Sequence, residues 1–520
     1  MKNVKTTILE IFLIILPLLV LSPTLLTNGA TNAIEINFWY TENDAEKPGV
    51  LQLIAEFEAA NPDIDVKEVQ KGFFDARQLY QNAFIAAEEP EVFRAARDWV
   101  IEFAQADMLL PLDEYYNVED LDDFIPNALR LVQYKGGDGI THYWGFPQVV
   151  DAPALFYNKY LFEQAGINTT EINVDTSWTW NEFKQYCADL TNTSDANNQK
   201  FGFTMAGMFF GAQGVYFGNG GTIFKGSAVC IDDITINTER SKQAFAEVKE
   251  IVDATYTPAW DLQGWGTLNV YFANPSTIQV AMIQQGPWQL RDFLENSIEF
   301  NPSVEGAKPY ASLDNLGIMQ LPHDADGNQG APLGGHAYII SKYTDTSKVE
   351  AAVKLAKFMS STDAMKLRSK EYYLVPARQS AFEATDVQES DAWEYLQVFK
   401  KMTDVATQVP VSHYWARLET DLANELDLYL VGDSTLDEFI ESTITLWKEY
   451  LPQTCLTITS TTESTSGTGT ITDTESQTSI PTTTPTTPEG YSPGFEYVIL
   501  LITILTIGQM YRLRKRKNSK

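Results

Sequence analysis

The run Phe146-Pro147-Gln148-Val149-Val150-Asp151-Ala152-Pro153-Ala154-Leu155-Phe156-Tyr157-Asn158-Lys159 constrains this chain more than any other stretch. It is apolar on both sides of Pro153, carries one carboxylate inside it and leaves through Tyr-Asn-Lys, so it reads as an extended segment passing from one lobe into another. An acid is out of place in a buried connection, because desolvating an unpaired carboxylate costs several kcal/mol. A ligand rich in hydroxyl groups would offset that cost. The stretch therefore predicts a hinge with a lobe on either side and a polar guest at the crossing.

The segments before it fit that reading. Ile34 to Tyr40 alternates as a strand, Val50 to Ala60 carries Leu51, Ile54, Ala55 and Phe57 at helical spacing, and Ile64-Asp65-Val66 is a second strand. Strand, helix and strand at these lengths make a parallel α/β unit. With 520 residues, 44% of them hydrophobic, the chain has material for more than one domain.

The ends are of a different kind. Lys2 and Lys5, the apolar run Ile11–Leu21 and the small residues up to Ala30 have the layout of a secretory signal peptide, with cleavage expected near Ala30 or Ala33. Thr457–Pro488 is almost all Thr, Ser, Pro, Gly and Glu, too polar to fold, and reads as a stalk whose reach at roughly 3.1 Å per residue is on the order of 100 Å. Phe495–Tyr511 is an apolar span of about 25 Å at roughly 1.5 Å per residue. The basic run Arg512–Lys517 after it places the C-terminus in the cytoplasm and everything before it outside.

A formal net charge of -32 argues against a nucleic-acid partner and fits a solvated, exported surface. Outside the cell Cys187 and Cys230 could pair, leaving Cys455 over. Asn168-Thr169-Thr170 and Asn192-Thr193-Ser194 are glycosylation sequons. Asn219-Gly220-Gly221 signals a hairpin, Asn237 a helix cap, and Asp324-Ala325-Asp326-Gly327-Asn328 a surface turn in which a calcium loop's closing Glu is replaced by Gly335.

A series of motifs in order resembles the extracytoplasmic solute-binding proteins of the sugar-binding, maltodextrin-binding kind. They are the crossover with Asp151 before Tyr157-Asn158-Lys159; Asp98 ahead of the helix leading to Leu110-Pro111-Leu112-Asp113; Ala165-Gly166-Ile167; the strand ending in Gly286-Pro287-Trp288; the return at Tyr373-Leu374-Val375-Pro376; and Trp415. The resemblance covers about Ile34 to Leu451 and departs at Pro90-Glu91, where the family has Pro-Asp, and at Ala95, where maltodextrin binders have a Trp. Ser492-Pro493-Gly494-Phe495, a span and a basic tail are also similar to archaeal C-terminal sorting signals, in which the span is exchanged for a lipid.

The resemblance implies a two-lobe α/β fold of the periplasmic-binding-protein type II kind. The lobes would be 34–148 with 331–374 and 149–330 with 375–453, followed by a linker 454–493, a span 494–511 and a tail 512–520. It implies a non-enzymatic, cofactor-free monomer on the outer face of the membrane that passes an oligosaccharide to an ABC permease and its ATPase subunits. Sugar sites pair aromatic faces with carboxylates and amides. Trp288 and Trp415, at predicted cleft positions, and Asp98 and Asp151, acids in apolar surroundings, are read as ligand contacts. Glu42 and Asn43 would add polar contacts; Phe209, Phe210 and Trp39 fit a site or a core equally, and Arg97 could serve the ligand or pair with Asp98. The alternatives are a surface glycan-degrading enzyme and a glycan-binding adhesion module. No nucleophile elbow, paired-His motif or phosphate loop is present, and the four His residues are scattered.

Overall fold

The computed structural model describes residues 33–454, apart from 137, 226–228, 261–263, 274–277, 297–311, 313, 411 and 413. The expected export signal, stalk, apolar span and basic tail lie outside the described residues, as does Cys455. Among the described residues no helix is long and apolar enough to cross a membrane.

The chain opens with β1 (Ile34–Tyr40), α1 (Lys47–Ala60) and β2 (Ile64–Gln70), the two strands parallel and in register from Ile34 opposite Ile64 to Tyr40 opposite Gln70. Alternation explains β1: Ile36, Phe38 and Tyr40 are buried and the residues between them are less so. Helix α1 carries Pro48 in its first turn, where its missing N–H costs nothing, and buries Val50, Leu53, Ile54 and Phe57, with Leu51 turned to solvent. Next come α2 (Phe73–Ala86), β3 (Val92–Ala96) and α3 (Arg97–Gln105).

The crossover stretch is two strands, β4 (Phe146–Asp151) and β5 (Ala154–Asn158), which belong to different sheets. Strands β6 (Gln199–Thr204), β7 (Ile278–Gln285), β8 (Leu316–Met319) and β9 (Gly334–Ile340) complete the two sheets. One has the order β2-β1-β3-β9-β4 and the other β8-β5-β7-β6. The chain thus steps between sheets at Ala152-Pro153, where a proline removes a ladder donor. It is joined there by two further segments. Val150 N donates to Val375 O at 3.2 Å, while Leu333 N donates to Thr407 O at 3.0 Å and Thr407 N to Ala331 O at 2.7 Å. The register of β4 against β9 slips between His336 and Ala337, so Gln148 bulges out opposite this pair.

Helices cover both sheets. Under the first, Phe38, Phe57, Val92, Tyr338, Leu355 and Met359 form one apolar cluster; a larger one runs through the crossing into the second lobe, with Phe156, Phe203, Tyr216 and Phe245. Fully burying a side chain of this size stabilises by about 1.5–3 kcal/mol.

Three local expectations are corrected. Cys187 is a free, buried thiol while Cys230 is disulfide-bonded, so the two do not pair. The Asn219-Gly220-Gly221 run is no hairpin but the turn closing α4 (Phe209–Gly218), with Gly220 at φ +76 and Gly221 N bonded to Tyr216 O; the long helix before it ends in glycine, which favours turning over pairing. The helix after it is capped by Thr238, whose hydroxyl accepts from Ser241 N, one residue beyond Asn237.

Candidate functional site

The first lobe brings its charged groups to the crossing by ending β3 and starting α3 at the same point. Ala96 is extended and Arg97 begins the helix, so Asp98 stands in the first turn, where the helix end favours an anion. Burial nevertheless raises the Asp98 carboxyl above its ordinary value, against the lowering by Arg97 and Arg77. Arg97 is almost buried; its Nη1 donates to Leu333 O at 3.1 Å, and its Nε has no partner among the described residues. Asp151, only 5% exposed, closes β4 and is pushed up to about 7 by burial, with Arg94 and Arg97 pulling the other way. Gly334 leaves it room: a Cβ there would overlap Asp151 Oδ1. His336 Nδ1 lies 3.8 Å from Asp151 Oδ2. Burial holds that imidazole well below its usual pKa, so it is neutral and the contact is no ion pair.

The second lobe offers rings and one more acid. β7 runs into Gly286-Pro287-Trp288, and Trp288 folds back over Gly286, whose missing side chain makes the space. Its ring centroid is 6.2 Å from that of Phe210. Across the lobes, Asn43 Nδ2 donates to Trp288 O at 3.0 Å. Trp415 starts α5 (Trp415–Leu430) and is 3% exposed. One helical turn later, Glu419 is raised to about 7 by burial first and by the Asp98 charge second, against Arg97 and a hydrogen bond from Trp415. The buried Gln213 donates to Glu419 at 3.4 Å.

Acids of both lobes, Asp98 and Asp151 on one side and Glu419 on the other, thus converge where the chain crosses, with Arg97 beside them. Trp288, Phe210 and Trp415 stand on the second lobe. Four sequence candidates, Trp415 described above and Glu42, Phe209 and Trp39, are engaged by partners within the chain. Glu42, 2% exposed, is part of a closed polar network in which Gln148 Nε2 donates to it at 2.7 Å and Arg94 approaches to 3.4 Å. Phe209 is 1% exposed and packs on Tyr216 inside the second lobe. Trp39, half-buried, contacts Tyr80 at 5.9 Å and has the Lys71 ammonium 3.8 Å from its ring centre. Asn43 makes the contact between lobes noted above, and the Asp324 loop is self-contained: Asp324 accepts from Asp326 N and Asn328 N and pairs with Arg240.

Sequence reasoning did not single out Glu419 and Gln213, which bond to each other beside Trp415, or Phe73 at the edge of the crossing. The first is readable as the residue one turn beyond Trp415 on the same face. Phe73, 41% exposed, follows Gly72 at the start of α2 and stacks on Trp99 at 5.1 Å.

The chain is 29% identical over 168 residues to the maltotriose-binding protein of Pyrococcus abyssi, an alignment covering 32% of either chain. It is 24% identical over 402 residues to the galactooligosaccharide-binding protein of Bacillus subtilis, covering 76% of this chain and 85% of that one. Among solved structures, the GacH receptor of Streptomyces glaucescens, described unliganded and with acarbose, superposes with a TM-score of 0.66 at 26% identity, covering 80% of this chain and 99% of its own. The Thermus thermophilus maltotriose binding protein shares the fold, with a TM-score of 0.65 at 19% identity over 80% of this chain and 99% of that one. The model of the bacterial extracellular solute-binding protein family matches residues 52–395. With two lobes, a crossing between them and a match over more than half its length, this chain belongs to the bacterial extracellular solute-binding proteins, a family of binding proteins and not of enzymes.

Proposed function

We propose that the protein captures an oligosaccharide between its lobes and delivers it intact to an ABC permease. The observation that carries this reading is the gathering of carboxylates from both lobes around Arg97, Glu419 of the second lobe lying within reach of the Asp98 charge of the first; the paired Trp288 and Phe210 rings stand on the second lobe, with the Trp288 carbonyl bonded to Asn43 of the first. A sugar presents apolar C–H faces rimmed by hydroxyls, so rings take the faces and carboxylates accept from the rim. Each hydrogen bond to an ionised acceptor contributes about 1.5–3 kcal/mol, and two or three with one good stack reach micromolar affinity after the cost of association. Because the ligand touches both lobes, it stabilises the closed arrangement by its differential affinity. The names of the relatives favour a malto- or galacto-type oligosaccharide.

The first crossing falls at Ala152-Pro153, because the strand Phe146–Asp151 stays whole in the first sheet, rather than at the expected 148/149; the other divisions in this reading are 330/331 and 374/375. The chain acts as a monomer on the outer face of the membrane, held there through the C-terminal stalk and its span or a lipid replacing it, with Asn168 and Asn192, both exposed, open to glycosylation. Tethering raises the rate of encounter with the permease. Titration calorimetry of the chain with malto- and galacto-oligosaccharides, followed by chromatography of the recovered sugar, tests the proposal. Binding with intact recovery is expected. Chain shortening, or no heat and no melting shift with any member, overturns it.

A further inference from the structure

The first lobe carries an aromatic surface at the edge of the crossing that no residue of the sugar site yet uses. Phe73 lies on Trp99 with ring centroids 5.1 Å apart and planes 29° apart, so one of its faces is packed on a ring that is itself 5% exposed. The rest of Phe73 remains 41% exposed. Its edge meets His336 at 5.8 Å, and His336 in turn stands 3.8 Å from Asp151. Phe74 abuts it at 5.6 Å, edge to face, and is 72% exposed. Two adjacent phenyl groups left in water, one of them held flat by a buried indole, are costly for a soluble surface unless something covers them. His336 adds a second signal: both of its ring nitrogens are buried without a hydrogen-bond partner among the described residues, although the neutral ring offers one donor and one acceptor. Apolar ring face and unsatisfied polar pair therefore lie side by side, next to an acid of the crossing.

We propose that Phe73 is an outer stacking platform for a sugar ring one unit beyond the ring held at Asp151, with His336 serving that unit's hydroxyls, so that this lip sets a preference for longer chains. The inference rests on the oligosaccharide reading. It also accounts for Ala95, the place where the resembled binders carry a Trp: the lobe's exposed aromatic comes from the start of α2 instead. Trp99 holds the ring in place beforehand, which reduces the ordering cost on binding.

The test is calorimetry of the full chain and its Phe73→Ala and Phe73→Trp variants with the disaccharide, trisaccharide and tetrasaccharide of the malto and galacto series. Phe73→Ala is expected to weaken the longer sugars about tenfold, equivalent to about 1.4 kcal/mol, with the disaccharide within about twofold, and Phe73→Trp to restore them. An equal loss at every length would mean a structural role and overturn the platform. Unchanged affinity for the longer sugars, even with impaired uptake in cells, overturns it as well and assigns the lip to permease docking. If the unaltered chain binds no member of either series, the platform and the oligosaccharide reading fall together; if it binds and Phe73→Ala changes nothing, only the platform falls.

Discussion

Replacing Asp151 with Asn should make the empty protein more stable at alkaline pH while destroying its affinity. Burial raises the Asp151 carboxyl from 3.8 to about 7, so the folded state holds a proton that the unfolded chain has already released. The sign follows: stability contributed by the protonated form is present below pH 3.8 and is lost as pH rises towards about 7. At 1.36 kcal/mol per pH unit the full cost at pH 8 is about 4 kcal/mol, an upper figure because relaxation and water entry reduce it. Asparagine carries no charge to desolvate. Urea denaturation of both forms should therefore show Asp151→Asn ahead by about 1–4 kcal/mol at pH 8 and level with the parent near pH 4. Ligand hydroxyls that solvate the carboxylate should also drive proton release on binding near neutrality, read as a dependence of calorimetric heat on buffer ionisation enthalpy. A variant that is equally stable or weaker at pH 8, or a binding heat independent of buffer, would refute the claim that Asp151 is held at a cost for the sake of the ligand.

Three further outcomes follow from the geometry. Gly334→Ala puts a Cβ onto Asp151 Oδ1 and should lower affinity at least tenfold with a much smaller change in the urea midpoint, measured by calorimetry and denaturation. Trp288→Ala removes the ring paired with Phe210 and should weaken binding by about 10- to 100-fold, while the fold survives because that ring is only partly buried. Arg94→Met strips the buried Glu42 of its counter-charge and leaves Gln148 and Thr41 without their donor; it should cost about 3–5 kcal/mol of unfolding free energy, visible in urea.

The α/β pattern and the crossing were legible because both are local. Alternation in Ile34–Tyr40, the break at Pro153 and the turn at Gly286-Pro287 need no knowledge of what packs on them. The candidates singled out in the sequence stand where elements end or begin: Asp151 closes a strand, Trp415 starts a helix, Asp98 is in a helix's first turn and Trp288 lies in the turn just past a strand. Residue type alone failed elsewhere. Glu42 looks like a ligand acid until Arg94 and Gln148, more than fifty positions away, arrive beside it. Trp39 looks like a stacking ring, yet Lys71 stands over it and Tyr80 beside it, and the long-range contact of Phe73 with Trp99 gives no periodic signal. The Cys187 and Cys230 pair fails for the same reason, since distance in the fold is not spacing in the chain.

Hydrogen exchange of the chain with and without a saturating oligosaccharide tests the central claim most directly. Simultaneous protection of the segments around Asp98, Asp151, Trp288 and Trp415 is predicted, because one guest bridges both lobes at the crossing. Protection confined to a single lobe, or to a surface away from the crossing, would contradict it.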